Sequence, residues 1–306
     1  MRPWEAEVEI DEALVRGLLA EQLPELEASS ARRLAEGWDN SVWVVEDRWA
    51  FRFPRRAAAV PLVERELAIL PRLAPLLPTP VPVPRYRGRP GERFPWPFFG
   101  CELLPGREPA DAQLSDDERV ELGGQLGRFL RVLHAPATAK AVDPDGDLPV
   151  DPNRRTVAER SVIARDHVRG VEELGLWRPP GEVERLLDEA SRLAPPRGPF
   201  VLAHGDLHLR HVLVDDGVLS GVIDWGDVCR ADASIDLVLV WSVLPPAGRR
   251  RFLAAYGEVD GQQRVRSRVL ALSLCAALAR YAHDVGHPSL LREAVAGLDR
   301  TLVDRG

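Results

Sequence analysis

The chain has 306 residues, 45% of them hydrophobic and 28% charged, with a formal net charge of −7. That length and apolar share suffice for two lobes with cores of their own and exclude a disordered or fibrous protein, and the negative balance argues against nonspecific nucleic-acid binding. The apolar runs over 235–244 and 270–278 fall short of the ~18 residues of a membrane span; with no apolar signal segment in MRPWEAEVEI and three scattered cysteines lacking any C-x-x-C pair, a cytoplasmic protein in a reducing compartment is expected.

Taken in order, residues 10–27 space Leu14, Leu18, Leu19 and Leu23 at helical intervals. The period changes over 31–54, where Val42-Trp43-Val44-Val45 and Trp49–Phe53 flank a Glu46-Asp47 turn, so three short strands are expected. The turn Gly37-Trp38-Asp39-Asn40-Ser41 joins the first two. Arg52 alternates with Phe51 and Phe53 and faces away from them. Residues 61–77 read as a helix with Glu64 and Glu66 in its early turns, 79–84 as a Pro-rich extended connector, and 96–104 as a buried strand ending at Pro105-Gly106.

From Ser115 the pattern is helical, with a Ser cap, an acidic first turn, and Leu122, Leu126, Phe129, Leu130 and Leu133 on one face. The Pro- and Asp-rich stretch 136–155 reads as a loop or insertion, and 156–175 and 182–193 as helices. Residues 231–244 read as one buried helix stopped by Pro245-Pro246, with Asp232 and Asp236 at its start where carboxylates suit exposed amides. Further helices fill 247–304.

The densest chemistry lies in VLAHGDLHLRHVLVDDGVLSGVIDW, residues 201–225. Val212–Val214 and Val218–Ile223 are strand-like runs around Asp215-Asp216-Gly217, and a D-G turn between such runs predicts a hairpin. The fold-back brings Asp206–His211, which lead into the hairpin, beside Gly221–Asp224, which leave it. A catalytic Asp, a metal-binding side chain five residues later and a metal-binding Asp after a hairpin is the phosphoryl-transfer pattern; here these positions are Asp206, His211 and Asp224. A second reading takes His204, Asp206, His208 and His211 as a zinc or iron hydrolase cluster.

His204-Gly205-Asp206-Leu207-His208, with Ile223-Asp224-Trp225-Gly226-Asp227 after the hairpin, resembles the aminoglycoside phosphotransferase family, whose signature is HGDLHxxN followed by IDWxD. His211 replaces the Asn of that signature, as in the macrolide phosphotransferase branch. The resemblance covers about residues 31–245 and implies an α+β, bilobal protein-kinase-like fold, with a small antiparallel-sheet lobe over 1–104 that binds nucleotide and a larger, mostly helical catalytic and substrate lobe over 105–306. It implies ATP or GTP as co-substrate with Mg²⁺, and a hydroxylated small molecule as acceptor.

On this sequence the resemblance makes Asp206 the catalytic residue and His211 and Asp224 the metal ligands. Gly37, Asn40 and Ser41 fall in the phosphate-covering loop, and Arg52 takes the place of the phosphate-gripping lysine, because the sole lysine, Lys140, lies far downstream. Glu66, or alternatively Glu64, is its helix partner, and Cys101–Leu104, with Cys101 and Leu103 foremost, is the stretch that meets the base. The acceptor is an antibiotic of aminoglycoside or macrolide type, or an endogenous sugar, amino acid or amino alcohol; a nucleotide-binding pseudoenzyme is the remaining alternative. A monomer or homodimer, with no nucleic-acid or membrane partner, is expected.

Overall fold

The computed structural model describes residues 6–26, 30–37, 39–151 and 157–303. Residues 1–5, 27–29, 38, 152–156 and 304–306, on which the ends of the expected helices over 10–27 and 247–304 and parts of the turn and loop fall, lie outside the described residues. The chain forms two compact units, the first made of Met1–Pro75, Pro80–Leu104 and Trp225–Asp227, the second of Leu76–Thr79, Pro105–Asp224 and Val228–Gly306.

In the first unit, helix α1 (Glu12–Gln22) precedes strands β1 (Ala31–Glu36), β2 (Asn40–Val45) and β3 (Trp49–Pro54), helix α2 (Val60–Leu73), and strands β4 (Pro84–Gly88) and β5 (Phe98–Glu102). The strands form one antiparallel sheet in the order β1-β2-β3-β5-β4. Glu46 and Asp47, at φ 55° and 48°, take the left-handed conformation that turns β2 back onto β3. The period-2 alternation of β3 sorts the two faces of the sheet. Phe51 and Phe53, both fully buried, pack with Phe98, Phe94, Trp43 and the Leu18 and Leu19 of α1, Phe53 stacking on Phe98 at 4.7 Å. On the other face Val63 and Leu67 of α2 pack on Phe99 and Cys101, and Arg52 points that way. Each buried aromatic ring contributes roughly 1.5–3 kcal/mol, so the alternation fixes which way Arg52 points. Strand β4 was not expected: Pro84 hides it, yet proline is tolerated at the start of an edge strand. Gly88 lets β4 lie against β5, since a Cβ there would overlap the Phe98 ring.

The second unit contains helices α3 (Pro109–Ala112), α4 (Asp116–Leu133), α5 (Pro136–Val142), α6 (Val157–Glu173) and α7 (Glu182–Ser191). Strands β6 (Val201–Ala203), β7 (Val212–Asp215), β8 (Val218–Val222) and β9 (Cys229–Ala231) follow, then α8 (Val238–Ser242), α9 (Pro246–Tyr256), α10 (Gly261–Val285) and α11 (Pro288–Leu302). The expected capping box at Ser115 and Glu118 is formed. The expected hairpin is β7–β8, with Asp216 and Gly217 at φ 46° and 73° in its turn.

Two expectations are corrected. Residues 136–142 are helix rather than loop, because Pro136 sits at the first turn, where its missing N–H costs nothing, and Ala137, Ala139 and Ala141 favour helix. Residues 231–244 are not one helix: β9 pairs with β6, and Asp232 accepts from the Ser234 N–H at 3.1 Å, closing a 3₁₀ turn over Ala233–Ile235 before α8 starts. A short Asx-type bond competes with helix propagation in this way. Among the described residues no helix is long and apolar enough to cross a membrane.

Candidate active site

The chemistry of the second unit gathers between β6 and the hairpin. Gly205, at φ 88°, holds the left-handed bend that a side chain would oppose, and Asp206 follows it. Asp236, fully buried, fixes the bend by accepting from the N–H of His204 at 2.7 Å and of Gly205 at 3.0 Å. Burial opposes the charge on Asp236, but the His134 hydrogen bond and the neighbouring histidines outweigh it and hold the carboxyl below its ordinary value.

His204 is also fully buried. Its Nε2 donates to the Ile223 carbonyl at 3.0 Å and its Nδ1 accepts from the Asp206 N–H at 3.3 Å, which ties the loop to the hairpin exit. Both ring nitrogens are thereby committed to backbone, so His204 does not join a metal cluster. Desolvation depresses its pKa and keeps it neutral.

His211 is the informative residue. Its Nδ1 lies 2.8 Å from the Asp206 carbonyl oxygen. A carbonyl only accepts, so Nδ1 carries a proton, and in the neutral ring Nε2 presents a lone pair. That lone pair faces Asp224 Oδ2 at 3.4 Å, and two acceptors at this distance are favourable only with a cation or a proton between them. Asp224 itself sits at φ 64°, a left-handed conformation uncommon outside glycine that re-aims its carboxylate as the chain leaves β8. Asp206 and Asp224 keep side-chain exposures of 37% and 39%, enough for an incoming molecule to reach them.

His208 lies on His211 with ring centroids 3.8 Å apart. Its Nδ1 accepts from the Arg210 N–H at 3.2 Å, which leaves Nε2–H to face Asp206 Oδ2 at 3.6 Å. Burial first, then His211, pushes its pKa down to about 3, so it stays neutral beside its stacked neighbour. Ligand atoms of Asp206, His208 and His211 all lie within 4.8 Å of one another, but both ring nitrogens of His208 are committed, so the donors to a cation are His211 and the carboxylates. The donors fit a divalent cation: the Asp224 carboxylate supplies the oxygen such hard ions prefer, and the His211 nitrogen widens acceptance toward softer ones.

Sequence reasoning missed Glu108 and Arg210. The guanidinium lies 3.3 Å from the carboxylate and 5.5 Å from the Tyr281 ring centroid, and desolvation raises the Glu108 pKa, though Arg210 opposes the shift. No local pattern announces a pair so far apart in the chain.

In the first unit, Arg52 Nη1 lies 3.1 Å from Glu66 Oε1, with side-chain exposures of 15% and 0%. Glu64 is exposed, so α2 offers Glu66 and not Glu64 to Arg52. The Asn40 amide oxygen, in the orientation that satisfies both side chains, accepts from Arg52 Nε and Nη2 at 3.1 Å. Trp225, the residue after Asp224, donates its N–H to the same Glu66 oxygen at 2.9 Å. The other expected residues do not join them. Ser41 is fully buried and its hydroxyl accepts from the Trp43 indole at 2.9 Å. The Gly37 carbonyl takes Arg55 at 2.6 Å, and Asp39 takes Arg56, which pins the turn from outside; Trp38 lies outside the described residues. Cys101 packs in the core with its thiol pushed up to about 12 by burial, an inert group. The Leu103 N–H is engaged by the Arg48 carbonyl at 2.8 Å, so the strand's alternation turns the backbone groups of Glu102 away from β3 instead.

A family model described as the phosphotransferase enzyme family (APH) matches residues 30–272. The chain belongs to this phosphotransferase family. Among curated relatives, an aminoglycoside 3'-phosphotransferase of Streptomyces fradiae is 31% identical over 188 residues, 58% of this chain and 67% of its own length. Among solved structures, the GDP and kanamycin complex of APH(2")-IIIa superposes with a TM-score of 0.66 at 23% identity, over 94% of this chain and 97% of that one. The macrolide 2'-phosphotransferase MphH of Brachybacterium faecium gives 0.61 at 24% identity, over 94% and 98%. These neighbours share the bilobal kinase-like fold, and membership makes the chain a phosphotransferase.

Proposed function

We propose that the chain transfers the γ-phosphoryl group of ATP or GTP to a hydroxyl of a small molecule, with an aminoglycoside or macrolide antibiotic as acceptor. The observation that carries this reading is the second unit's constellation, in which an accessible Asp206 carboxylate stands beside a His211 whose lone pair faces Asp224. The names of the matched relatives support the acceptor class.

In this reading Asp206 accepts a hydrogen bond from the acceptor hydroxyl and takes its proton as that oxygen bonds to the γ-phosphorus and the bond to the departing nucleoside diphosphate breaks. His208, neutral, turns its Nε2–H toward the carboxylate without adding charge to the loop. Asp224 and His211 Nε2 would hold the divalent cation, and bound Mg²⁺ supplies charge neutralisation to the phosphates. Arg52, oriented by Glu66 and Asn40, grips the α- and β-phosphates with its planar fork. Backbone groups of 101–104, those of Glu102 foremost, meet the base. Residues 1–104 thus serve as the nucleotide lobe and 105–306 as the catalytic and acceptor lobe.

The test is nucleotide consumption by the purified protein with Mg²⁺, ATP and GTP offered separately against aminoglycosides, macrolides and hydroxylated metabolites. Acceptor-stimulated turnover is the expected result; tightly bound zinc or iron with no nucleotide turnover would replace the reading by the hydrolase one. Because the cation site needs a donor rather than an imidazole, His211→Asn preserves or raises Mg²⁺-dependent turnover, and a collapse to background would remove His211 from that site.

A further inference from the structure

Within the second unit, α4 and α9 run side by side, parallel and in register, because glycines line their contact. A Cβ on Gly123 would drive into the Gly248 backbone, and one on Gly127 would sit 2.6 Å from the Phe252 carbonyl oxygen and 2.9 Å from the Ala255 Cβ. Four residues along α4 match four along α9. The parallel course brings the end of α9 beside the end of α4, where Tyr256, the last residue of α9, meets His134, the C-cap of α4.

The Tyr256 ring stacks on Phe252, with centroids 5.2 Å apart, and meets the imidazole of His134 edge-on at 5.6 Å. Its hydroxyl lies 2.8 Å from His134 Nδ1, and His134 Nε2 lies 3.1 Å from Asp236 Oδ2. A carboxylate only accepts, so Nε2 carries a proton, and in the neutral ring Nδ1 accepts from the tyrosine hydroxyl. The same Asp236 oxygen takes the His204 N–H, and its other oxygen takes the Gly205 N–H, the two amides that precede Asp206.

We propose that Tyr256 and His134 are positioning residues for phosphoryl transfer, acting through Asp236 on the backbone that aims Asp206. The proposal rests on the reading of Asp206 as the acceptor-orienting carboxylate. The hydroxyl fixes the ring orientation in which Nε2–H faces Asp236; without it the imidazole is free to turn, and the carboxylate loses its lateral partner. A small displacement of an aimed carboxylate costs rate without costing nucleotide affinity.

Tyr256→Phe keeps the stack and removes only the hydroxyl. It is expected to lower kcat roughly two- to tenfold, the range of one lost hydrogen bond, with the nucleotide KM unchanged, and to speed hydrogen exchange at the Gly205 amide. Tyr256 also lines an open cavity of about 490 Å³, so phenol added to Tyr256→Ala should restore rate while benzene should not. Wild-type kcat and unaltered Gly205 exchange in Tyr256→Phe would overturn the proposal, as would a loss repaired equally by benzene, which would mean packing alone. Should the wild type turn over no acceptor, the role of Asp206 fails on its own, and exchange at Gly205 still decides whether the relay holds the loop.

Discussion

The two clusters of candidate site residues are built in opposite ways. In the second unit, Asp206, His208, His211 and Asp224 come from one stretch of chain, shaped by a glycine bend and a hairpin within it and held at the bend by Asp236. In the first unit, the Arg52–Glu66 pair is assembled from a strand, a helix and the distant Trp225 N–H. The loop site takes its shape from local turn chemistry, with Asp236 steadying its bend from outside; the Arg52 site depends on the whole sheet and α2 packing correctly. Substitutions therefore separate them: in the loop they should strike chemistry, and around Arg52 they should strike nucleotide affinity.

The largest effect is expected at Asp206. Asp206→Asn keeps the shape and removes the proton acceptor, so kcat should fall about 10²- to 10⁴-fold, the usual contribution of a positioned base, with nucleotide affinity, read by calorimetry, unchanged. Retained turnover would move the chemistry to another residue. Next comes Glu66→Gln. It keeps acceptors for Arg52 and Trp225 but trades a charge-assisted bond for a neutral one, so the nucleotide KM should rise about tenfold. If kcat fell tenfold with KM unmoved, the contrast drawn between the clusters would break.

The same contrast explains what was legible in the sequence. The hairpin, the capped α4 and the Asp206–His211–Asp224 spacing are local patterns, and they could be read directly. The choice between Glu64 and Glu66 could not, because it depends on which face of α2 meets the sheet. Nor could the Glu108–Arg210 pair, the edge strand behind Pro84, or the engagement of Ser41 by Trp43. His204 was ambiguous for a different reason. Its spacing suits a metal cluster as well as a loop clasp, and only the direction of its Nε2, toward the Ile223 carbonyl, separates the two.

A smaller effect, on stability, tests the neutral histidines. His204 and His208 both have pKa values depressed below the ordinary 6.5 by burial, His208 to about 3. The unfolded chain therefore binds more protons than the folded one once the pH falls below 6.5, and stability drops with falling pH through that window. For His208 the loss at pH 5 is about 2 kcal/mol, from 1.36 kcal/mol per unit. The depressed carboxyl of Asp236 acts only in the more acid range below its ordinary 3.8. The melting temperature should fall between pH 7 and pH 5, and His208→Gln should flatten part of that slope; a flat wild-type profile would mean that the loop admits a charged imidazole.

The smallest effect is the sharpest test of the first cluster. Ser41 stands next to Asn40 in the turn that the resemblance assigns to the phosphates, yet its side chain is fully buried and its hydroxyl is engaged by the Trp43 indole. Ser41→Ala removes that acceptor and leaves a buried N–H without one, which should lower stability by about 1–3 kcal/mol in denaturant unfolding. The nucleotide KM should stay within about twofold, since the hydroxyl faces the core and only the backbone of the turn remains to meet a phosphate. A KM that rose as far as in Glu66→Gln would mean that the β1–β2 turn repacks when nucleotide binds. The first cluster would then be assembled by its ligand, whereas the second would remain set by its own hairpin and the Asp236 clasp.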